Sequence, residues 1–191
     1  MKSHPFAQMP HTISSDRSAA SYSGDELLGF HDKDRVDVGS KAPDFTLPSQ
    51  SEEMVNLSDF LGNRPVVLFF YPKDDTPGCT KEVCAFRDSF EDFRKLDAEV
   101  IGISSDSVKS HRSFAKKHDL PFTLLSDEGG KIRRLYRVPD TLGLFPGRVT
   151  YVIDRGGIVR HVFSSQLGFV DHAEEALQAL RSINYSVRHN D

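Results

Sequence analysis

The 191-residue sequence predicts an α/β fold with a mixed central sheet covered by helices on both faces. Two observations predict it. Short apolar runs rich in β-branched and aromatic residues, typical of buried strands, alternate with segments whose apolar residues recur every three or four positions, typical of helices. Near the end of the chain, two strand-like runs flank Asp154-Arg155-Gly156-Gly157, a good hairpin turn, so the sheet is expected to include an antiparallel pair.

Two short strands are expected before the central strand. They are predicted at residues 45–47 and 54–57, and Ser58 is expected to cap a single helical turn that ends at Gly62. Residues 66–71 then form an unbroken apolar run. This pattern indicates a strand that is buried on both faces.

A turn and a helix follow the central strand. Pro72, Pro77 and Gly78 interrupt regular structure, so the chain must turn there. From Thr80 onward, apolar residues at spacings of three and four predict one buried helix face. These residues are Val83, Phe86, Phe90 and Phe93.

The remaining elements alternate in type until the hairpin. We predict a strand at 100–103, a helix capped by Asp106 or Ser107, a strand at 123–125, a short basic helix at 131–136, strands at 149–153 and 158–163, and a final helix that starts near Asp171. Glu174 gives that start the pattern of a capping box. The inward residues of the final helix are expected to be Ala173, Ala176, Leu177, Leu180 and Ile183.

Composition and charge argue against several classes of protein. The formal net charge is −4 and there is no dense block of Lys and Arg, which argues against nucleic-acid binding. No apolar stretch reaches the roughly 18 residues of a membrane span. The glycine pairs at 129–130 and 156–157 lack a nucleotide-binding motif, and the histidines and cysteines miss the usual zinc-ligand spacing. We therefore expect neither a cofactor nor a metal.

Residues 1–37 are predicted to be a mobile N-terminal extension, and residues 38–191 the folded domain. The extension is rich in Ser, His, Pro and Asp, and its apolar residues have no sustained period. It lacks the apolar segment of a secretory signal. Its first fifteen residues are Ser-rich and acid-poor, as in transit peptides, but only Lys2 and Arg17 are positively charged. We expect a cytoplasmic protein, with an organelle such as the chloroplast as the alternative.

Cys79 is the strongest candidate nucleophile. It lies where the predicted turn meets the start of the helix. Unpaired N–H groups and the positive end of the helix dipole favour an anion there, so the thiol is expected to ionise more readily than a free cysteine of pKa about 8.5. The alternative is an inert buried cysteine, which the polar residues of the turn disfavour.

Cys84 lies five residues further along the same helix. If both cysteines are helical, their Cα atoms are roughly 8.6 Å apart on diverging faces. A disulfide usually needs about 4.4–6.8 Å, so bond formation would require the first helical turns to unwind. Cys84 could equally be a core residue, because Val83 and Phe86 surround it.

Pro72, Thr76 and Cys79 form the pattern P-x-x-x-T-x-x-C, which resembles the peroxidatic motif of peroxiredoxins. The wider segment YPKDDTPGCTKEVCAFRD is similar to the peroxiredoxin Q (bacterioferritin comigratory protein) subfamily, in which the second cysteine stands at the position of Cys84. The segment PGRVTYVID resembles the one that carries the active-site arginine of the family, here Arg148. The resemblance extends from about residue 38 to residue 180.

This resemblance implies a thioredoxin-like fold and a thiol peroxidase that uses no cofactor. It implies that Cys79 is the peroxidatic cysteine and that Cys84 is the resolving cysteine, which forms a disulfide with Cys79. Arg148 and Thr76 would bind the peroxide and stabilise the thiolate, and Pro72 would shield the thiolate from water. The implied partners are a hydroperoxide substrate and thioredoxin or a similar dithiol reductant. The protein is expected to be a monomer.

Two other functions remain open at this stage. A thioredoxin-like disulfide oxidoreductase is disfavoured because the sequence has no C-x-x-C motif, and a non-catalytic redox sensor would need no turnover. From the residues alone, Thr76 could be a turn residue, Pro72 a strand terminator and Arg148 a surface side chain. Glu82 on the cysteine helix is expected to be solvated or ion-paired.

Overall fold

The structure, a computed structural model, describes residues 36–141 and 145–189. The predicted N-terminal extension therefore lies outside the described residues, except for its last two. The strands are β1 (Thr46–Pro48), β2 (Met54–Asn56), β3 (Val66–Phe70), β4 (Glu99–Ser104), β5 (Thr123–Ser126), β6 (Asp140–Thr141), β7 (Phe145–Pro146), β8 (Val149–Ile153) and β9 (Val159–Ser164). The helices are α1 (Pro77–Asp88), α2 (Phe90–Lys95), α3 (Val108–Lys117), α4 (Lys131–Leu135) and α5 (Asp171–His189).

A five-stranded sheet in the order β5-β4-β3-β8-β9 organises the fold. β3 pairs in parallel with β4 and antiparallel with β8, so the sheet is mixed, as predicted. All five residues of β3 are fully buried. Because β8 runs antiparallel to β3, its first residue, Val149, lies opposite Phe70, the last residue of β3. This register brings the chain just before β8 next to the loop that follows β3.

Alternate residues of β3 point into two separate apolar clusters, as the period of a strand requires. Val67 and Phe69 belong to the cluster that α1, α2, α3 and α5 cover. The other face packs against α4 and the segment around β1 and β2. Helices thus lie on both faces of the sheet, as the sequence predicts, and Val36 already belongs to the second cluster.

The predicted cysteine helix is in fact two helices. α1 ends at Asp88, and Ser89 is both the last cap of α1 and the first cap of α2. The apolar spacing does not reveal the break, because Phe86 and Phe93 still pack on each other across it, with ring centroids 5.8 Å apart. The helical segment therefore continues to bury one face although its axis is interrupted.

Other differences concern caps and very short elements. The single 3-10 turn after β2 spans Leu57–Asp59 and is capped by Asn56, whose backbone N–H donates to Asp59, rather than by Ser58. Ser107 is the cap of α3, because its hydroxyl accepts from the backbone N–H of Ser110.

The two-residue strands β6 and β7 are too short to leave a periodic signal. None of the helices described here has the length and apolar content that crossing a bilayer requires.

Candidate active site

The connection from β3 to α1 places Cys79 in the first turn of a helix. Thr76 is the N-cap in extended conformation, and Pro77 occupies the first helical position, where a missing N–H costs nothing. Cys79 is only 1% exposed. The unpaired N–H groups of this turn and the helix dipole face the same region, which favours an anion at the sulfur. The predicted position of Cys79 at a strand-to-helix turn agrees with this geometry.

Arg148, which is distant from Cys79 in sequence, contacts this sulfur. The guanidinium Nη2 donates to Cys79 Sγ at 3.4 Å, and the arginine side chain is buried. The two residues are 69 positions apart in sequence, and the β3–β8 register described above brings them together. A buried guanidinium that donates to a thiol sulfur stabilises the thiolate by charge and by hydrogen bonding.

Phe169, in the loop between β9 and α5, covers the guanidinium of Arg148. Its ring centroid lies 4.9 Å from Arg148 Cζ, close enough for a cation–π interaction. The same ring sits against the first turn of α1, where a Cβ added at Gly78 would approach it to 2.6 Å. Glycine is therefore required beside Cys79 if Phe169 is to pack over the arginine.

Glu82, which the sequence leads us to expect as solvated or ion-paired, lies inside the site. It lies one turn after Cys79 on α1, is fully buried, and accepts a hydrogen bond from Nη1 of Arg148. Its carboxyl contacts Arg148 rather than solvent. Burial raises the pKa of Glu82 to about 8, although the charges of Arg148 and Arg133 act in the opposite direction. The spacing of three residues from Cys79 was the available signal, because it places both side chains on one helix face.

Arg133 on α4 is a second buried cation beside the site. Its Nη2 donates to the carbonyl of Tyr71 at 2.7 Å, and its Nη1 donates to the carbonyl of Gly147 at 2.8 Å. One side chain thus fixes both the end of β3 and the residue that precedes Arg148. Burial lowers the pKa of Arg133, with Asp127 acting in the opposite sense. Nothing in the spacing of the short basic helix marked this residue.

The loop before α1 carries Pro72 and Thr76, both half-buried. The hydroxyl of Thr76 donates to the carbonyl of Lys73 at 3.1 Å, which leaves its lone pairs as acceptors. Pro72 follows Tyr71, the first residue after β3, whose carbonyl accepts from Arg133. The roles that the resemblance gives these two residues stay predictions.

A buried polar cluster anchors the same loop to α3. Tyr71 donates to one oxygen of Asp74 at 2.7 Å, and Nδ1 of His111 lies 2.9 Å from the other oxygen. Burial raises the pKa of Asp74, but hydrogen bonding and the charge of His111 outweigh it, so this pKa lies below its usual value of 3.8. His111 therefore helps to hold this loop against α3 through its contact with Asp74. The described residues contain no group of three or more His, Cys, Asp or Glu placed to hold a metal.

Cys84 is half-buried on α1, and both cysteines are free thiols. Its side chain lines a groove of about 590 Å³ between α1 and α5, together with apolar residues of α5 such as Ala173 and Leu177. α1 is helical without interruption from residue 77 to residue 88. The two sulfurs therefore lie on one intact helix, and we expect a bond between them to require local unwinding of α1.

We predict that Glu82 makes the protein less stable as the pH rises from 6.5 to 8. A carboxyl whose folded pKa is about 8, against an ordinary 4.5, contributes stability that is fully present below pH 4.5 and lost as the pH rises through 8. His172, with a pKa lowered by burial to about 4, has its full contribution above pH 6.5. Among the described groups with a shifted pKa, Glu82 is the one expected to change the stability between pH 6.5 and 8.

Urea unfolding would measure this effect in Cys79→Ser, which lacks the reactive thiol, and in the same protein with Glu82→Gln. We expect the free energy of unfolding of the first protein to fall with a slope of up to about 1.4 kcal/mol per pH unit. The second should be nearly flat over the same interval. Parallel curves for the two proteins would contradict the prediction.

Together, the mixed sheet and the buried contact between Arg148 and Cys79 at a helix N-terminus indicate a thiol-dependent enzyme. A sequence model of the AhpC/TSA family matches residues 38–162. The chain belongs to this family, and it is a peroxidase that takes a peroxide substrate and a thiol reductant. The recognition of a peroxiredoxin and the thioredoxin-like fold are thereby confirmed.

Several plant and bacterial proteins are similar to the chain. Peroxiredoxin Q, chloroplastic, from Sedum lineare is 54% identical over 150 residues, which cover 78% of this chain and 80% of that protein. The structure of BcpB, a peroxidoxin from Mycobacterium tuberculosis, is 40% identical with a TM-score of 0.73, and the match covers 78% of this chain and 99% of that one. The Xanthomonas campestris bacterioferritin comigratory protein, studied for its alkyl peroxide reduction activity, is 30% identical with a TM-score of 0.69, covering 78% and 97%.

Proposed function

We propose that the chain reduces hydrogen peroxide and small alkyl hydroperoxides through the Cys79 thiolate, a sulfenic acid and a Cys79–Cys84 disulfide. The observation that carries the proposal is the contact between Arg148 Nη2 and Cys79 Sγ at 3.4 Å, inside a buried helix N-terminus. The charge of Arg148 and the dipole of α1 both favour a negative charge on this buried sulfur atom. The alkyl peroxide activity studied in the Xanthomonas campestris relative supports alkyl hydroperoxides as substrates.

In the first step the thiolate sulfur attacks the terminal oxygen of the peroxide. An S–O bond forms as the O–O bond breaks, so that Cys79 is oxidised to a sulfenic acid and the peroxide is reduced to an alcohol or water. Negative charge moves from the sulfur to the leaving oxygen, which takes up a proton. Arg148 and the backbone N–H groups of the first turn of α1 stabilise that charge, and Thr76 accepts a hydrogen bond from the peroxide O–H.

In the second step Cys84 attacks the sulfur of the sulfenic acid and displaces water. Because both residues lie on one helix, α1 must unwind between them, and the bond prevents further oxidation of Cys79. A dithiol reductant, which we propose is thioredoxin, then restores both thiols by exchange. The chain needs no second copy for this chemistry, which supports a monomer.

The test of the proposal is the mass and thiol count of the protein after one equivalent of peroxide. We expect the loss of both thiols and of two hydrogens, with no added oxygen, and full recovery after treatment with thioredoxin. Two intact thiols after exposure to peroxide would refute the proposal. Oxidation by disulfides without any reaction with peroxide would instead favour a disulfide oxidoreductase.

Replacing Cys84 with serine is expected to separate the two steps. The variant should reduce one equivalent of peroxide, because Arg148 and Cys79 are untouched, and should then stop as a sulfenic acid. Rapid-mixing kinetics and a sulfenic-acid reagent would measure the first step, and NADPH consumption through thioredoxin reductase and thioredoxin would measure recycling. Unchanged recycling in Cys84→Ser would contradict the role of Cys84 as resolving cysteine.

The compartment is a separate part of the proposal. The plant relatives are chloroplastic by name, and the sequence of residues 1–37 includes a Ser-rich, acid-poor start. These observations favour the chloroplast, the alternative compartment of the sequence analysis, over the cytoplasm. Fluorescent fusions of the full chain and of residues 38–191, expressed in plant cells, would decide: only the full chain should enter chloroplasts.

A further inference from the structure

The guanidinium of Arg148 has three nitrogens, and two of them have a hydrogen-bond partner among the described residues. Nη1 donates to Glu82 and Nη2 donates to Cys79 Sγ, whereas the buried Nε is unpaired. Two contacts at the Nη atoms define an axis about which the planar guanidinium can still tilt. A third contact, away from that axis, would oppose the tilt and keep the hydrogen of Nη2 aimed at the sulfur.

Phe169 supplies a contact of this kind. Its ring centroid lies 4.9 Å from Cζ of Arg148. Cζ lies off the line that joins the two Nη atoms, so a ring against Cζ opposes the tilt. The negative face of an aromatic ring also attracts a cation, and more strongly where water is excluded. Arg148 is only 3% exposed, so the attraction acts on a cation that is largely removed from water.

The loop that carries Phe169 is anchored to the start of α5. The hydroxyl of Ser165 accepts from the backbone N–H of Gly168 at 3.0 Å. The carbonyl of Ser165 in turn accepts from Nε2 of His172, at 2.9 Å. A Cβ added at Gly168 would collide with the carboxylate of Asp171, so the loop passes close to α5. These contacts tie the loop of Phe169 to α5 rather than to α1.

Gly78, in the first turn of α1, is fitted to the same ring. Glycine lowers the stability of a helix relative to alanine, and the φ of Gly78 is not positive, so its backbone does not require glycine. A Cβ at this position would lie 2.6 Å from Cε1 and 2.8 Å from Cζ of Phe169. The missing side chain at Gly78 therefore leaves the space that the ring occupies beside Cys79.

We propose that Phe169 is a positioning residue of the peroxidatic centre, whose ring holds the guanidinium of Arg148 toward the Cys79 sulfur. The inference rests on the proposed function for Cys79. Gly78 makes the arrangement possible, because it leaves room for the ring. Phe169 acts through Arg148 and takes no part in the chemistry itself.

A double-mutant cycle with Arg148 tests this role. Phe169→Leu keeps an apolar side chain but removes the aromatic face, and we expect it to slow the single-turnover oxidation of Cys79 by hydrogen peroxide about three- to tenfold. In the Arg148→Met background, where no cation is left to position, the same change should cost less than about twofold. An unchanged rate in Phe169→Leu would overturn the proposal. Equal losses in both backgrounds would also overturn it, because Phe169 would then act on the fold rather than on Arg148.

Gly78→Ala tests the same role with Phe169 left in place. The added methyl group must push the ring away, so we expect a loss of rate similar to that of Phe169→Leu. In the Phe169→Leu background the loss should fall below about twofold, because leucine lacks Cε1 and Cζ. Equal losses in the two backgrounds would contradict the proposal, whatever Phe169→Leu does to the fold.

The matched control for these variants is Phe90→Leu. Phe90 is a half-buried ring at the start of α2 and packs on Phe122, with centroids 6.2 Å apart. Its replacement should leave the rate of Cys79 oxidation unchanged. A loss as large as that of Phe169→Leu would count against a specific role for Phe169.

NMR spectroscopy follows the contact without any peroxide. The Nε–H proton of Arg148, identified by its absence from Arg148→Met, should carry a ring-current shift that Phe169→Leu removes. A signal that keeps its position in Phe169→Leu would overturn the proposal. A protein that shows the shift but whose Cys79 ignores peroxide would refute the proposed function while supporting the contact of Phe169 with Arg148.

Discussion

Cys79→Ser is expected to abolish peroxide reduction by the protein. A serine hydroxyl stays protonated at neutral pH and forms no stable sulfenic-type intermediate, so the first chemical step has no counterpart. Cys79 is the sulfur that Arg148 contacts, whereas Cys84 lies further along α1 in a groove against α5. The second thiol therefore cannot replace the first.

Stopped-flow mixing with hydrogen peroxide, followed by thioredoxin-coupled turnover, would measure this loss. For the stopped-flow step, Cys84→Ser is the matched control, because it removes one thiol of the same helix and leaves the contact with Arg148 in place. The residual rate of Cys79→Ser should not exceed that of an unactivated thiol, because Cys84 is the remaining cysteine. Turnover at the wild-type level in this variant would refute the assignment of the nucleophile.

Arg148→Met is expected to lower the second-order rate constant for peroxide reduction by about 10²–10³-fold. The change removes the buried cation that faces the sulfur and the donors that stabilise the leaving oxygen, while it keeps most of the side-chain volume. Arg148→Lys should recover part of the loss, because it restores the charge but not the planar pair of donors that serves Cys79 and Glu82 together.

The control for this substitution is Arg160→Met. Arg160 lies on β9, is half-exposed and is ion-paired with Asp154 outside the site. It should leave the rate constant unchanged, since exposed ion pairs contribute little. Urea unfolding of both variants would separate loss of chemistry from loss of fold. An Arg148→Met protein that is folded and fully active would contradict the role of the guanidinium.

Much of the fold was predictable because its signals are local. The apolar run of β3 and the turn residues before α1 located Cys79 at a helix start, and the Asp154–Gly157 turn located the antiparallel pair that makes the sheet mixed. The break at Ser89 was not predictable. Helices on either side of it bury residues in one apolar cluster, so the spacing of phenylalanines continues through the interruption.

The site was predictable only in part, because its contacts are long-range. Local pattern identifies Cys79, and the family resemblance identifies Arg148, but neither reveals that Glu82 is buried between Arg148 and His172. A glutamate on a helix looks solvated until the element that covers its face is known. Arg133 could not be predicted for the same reason. Its partners are backbone carbonyls, which leave no side-chain pattern in the sequence.

The place of Glu82 in the sequence, between the two cysteines, has a consequence for the whole catalytic cycle. Glu82 lies in the part of α1 that must unwind if the two sulfurs are to bond, so we expect its carboxyl to leave the guanidinium in that step. In the proposed cycle, we therefore expect formation of the Cys79–Cys84 disulfide to break the contact between Arg148 and Glu82, and reduction to restore it. We expect Arg148 to be positioned for the next peroxide only after a reductant has restored the two thiols.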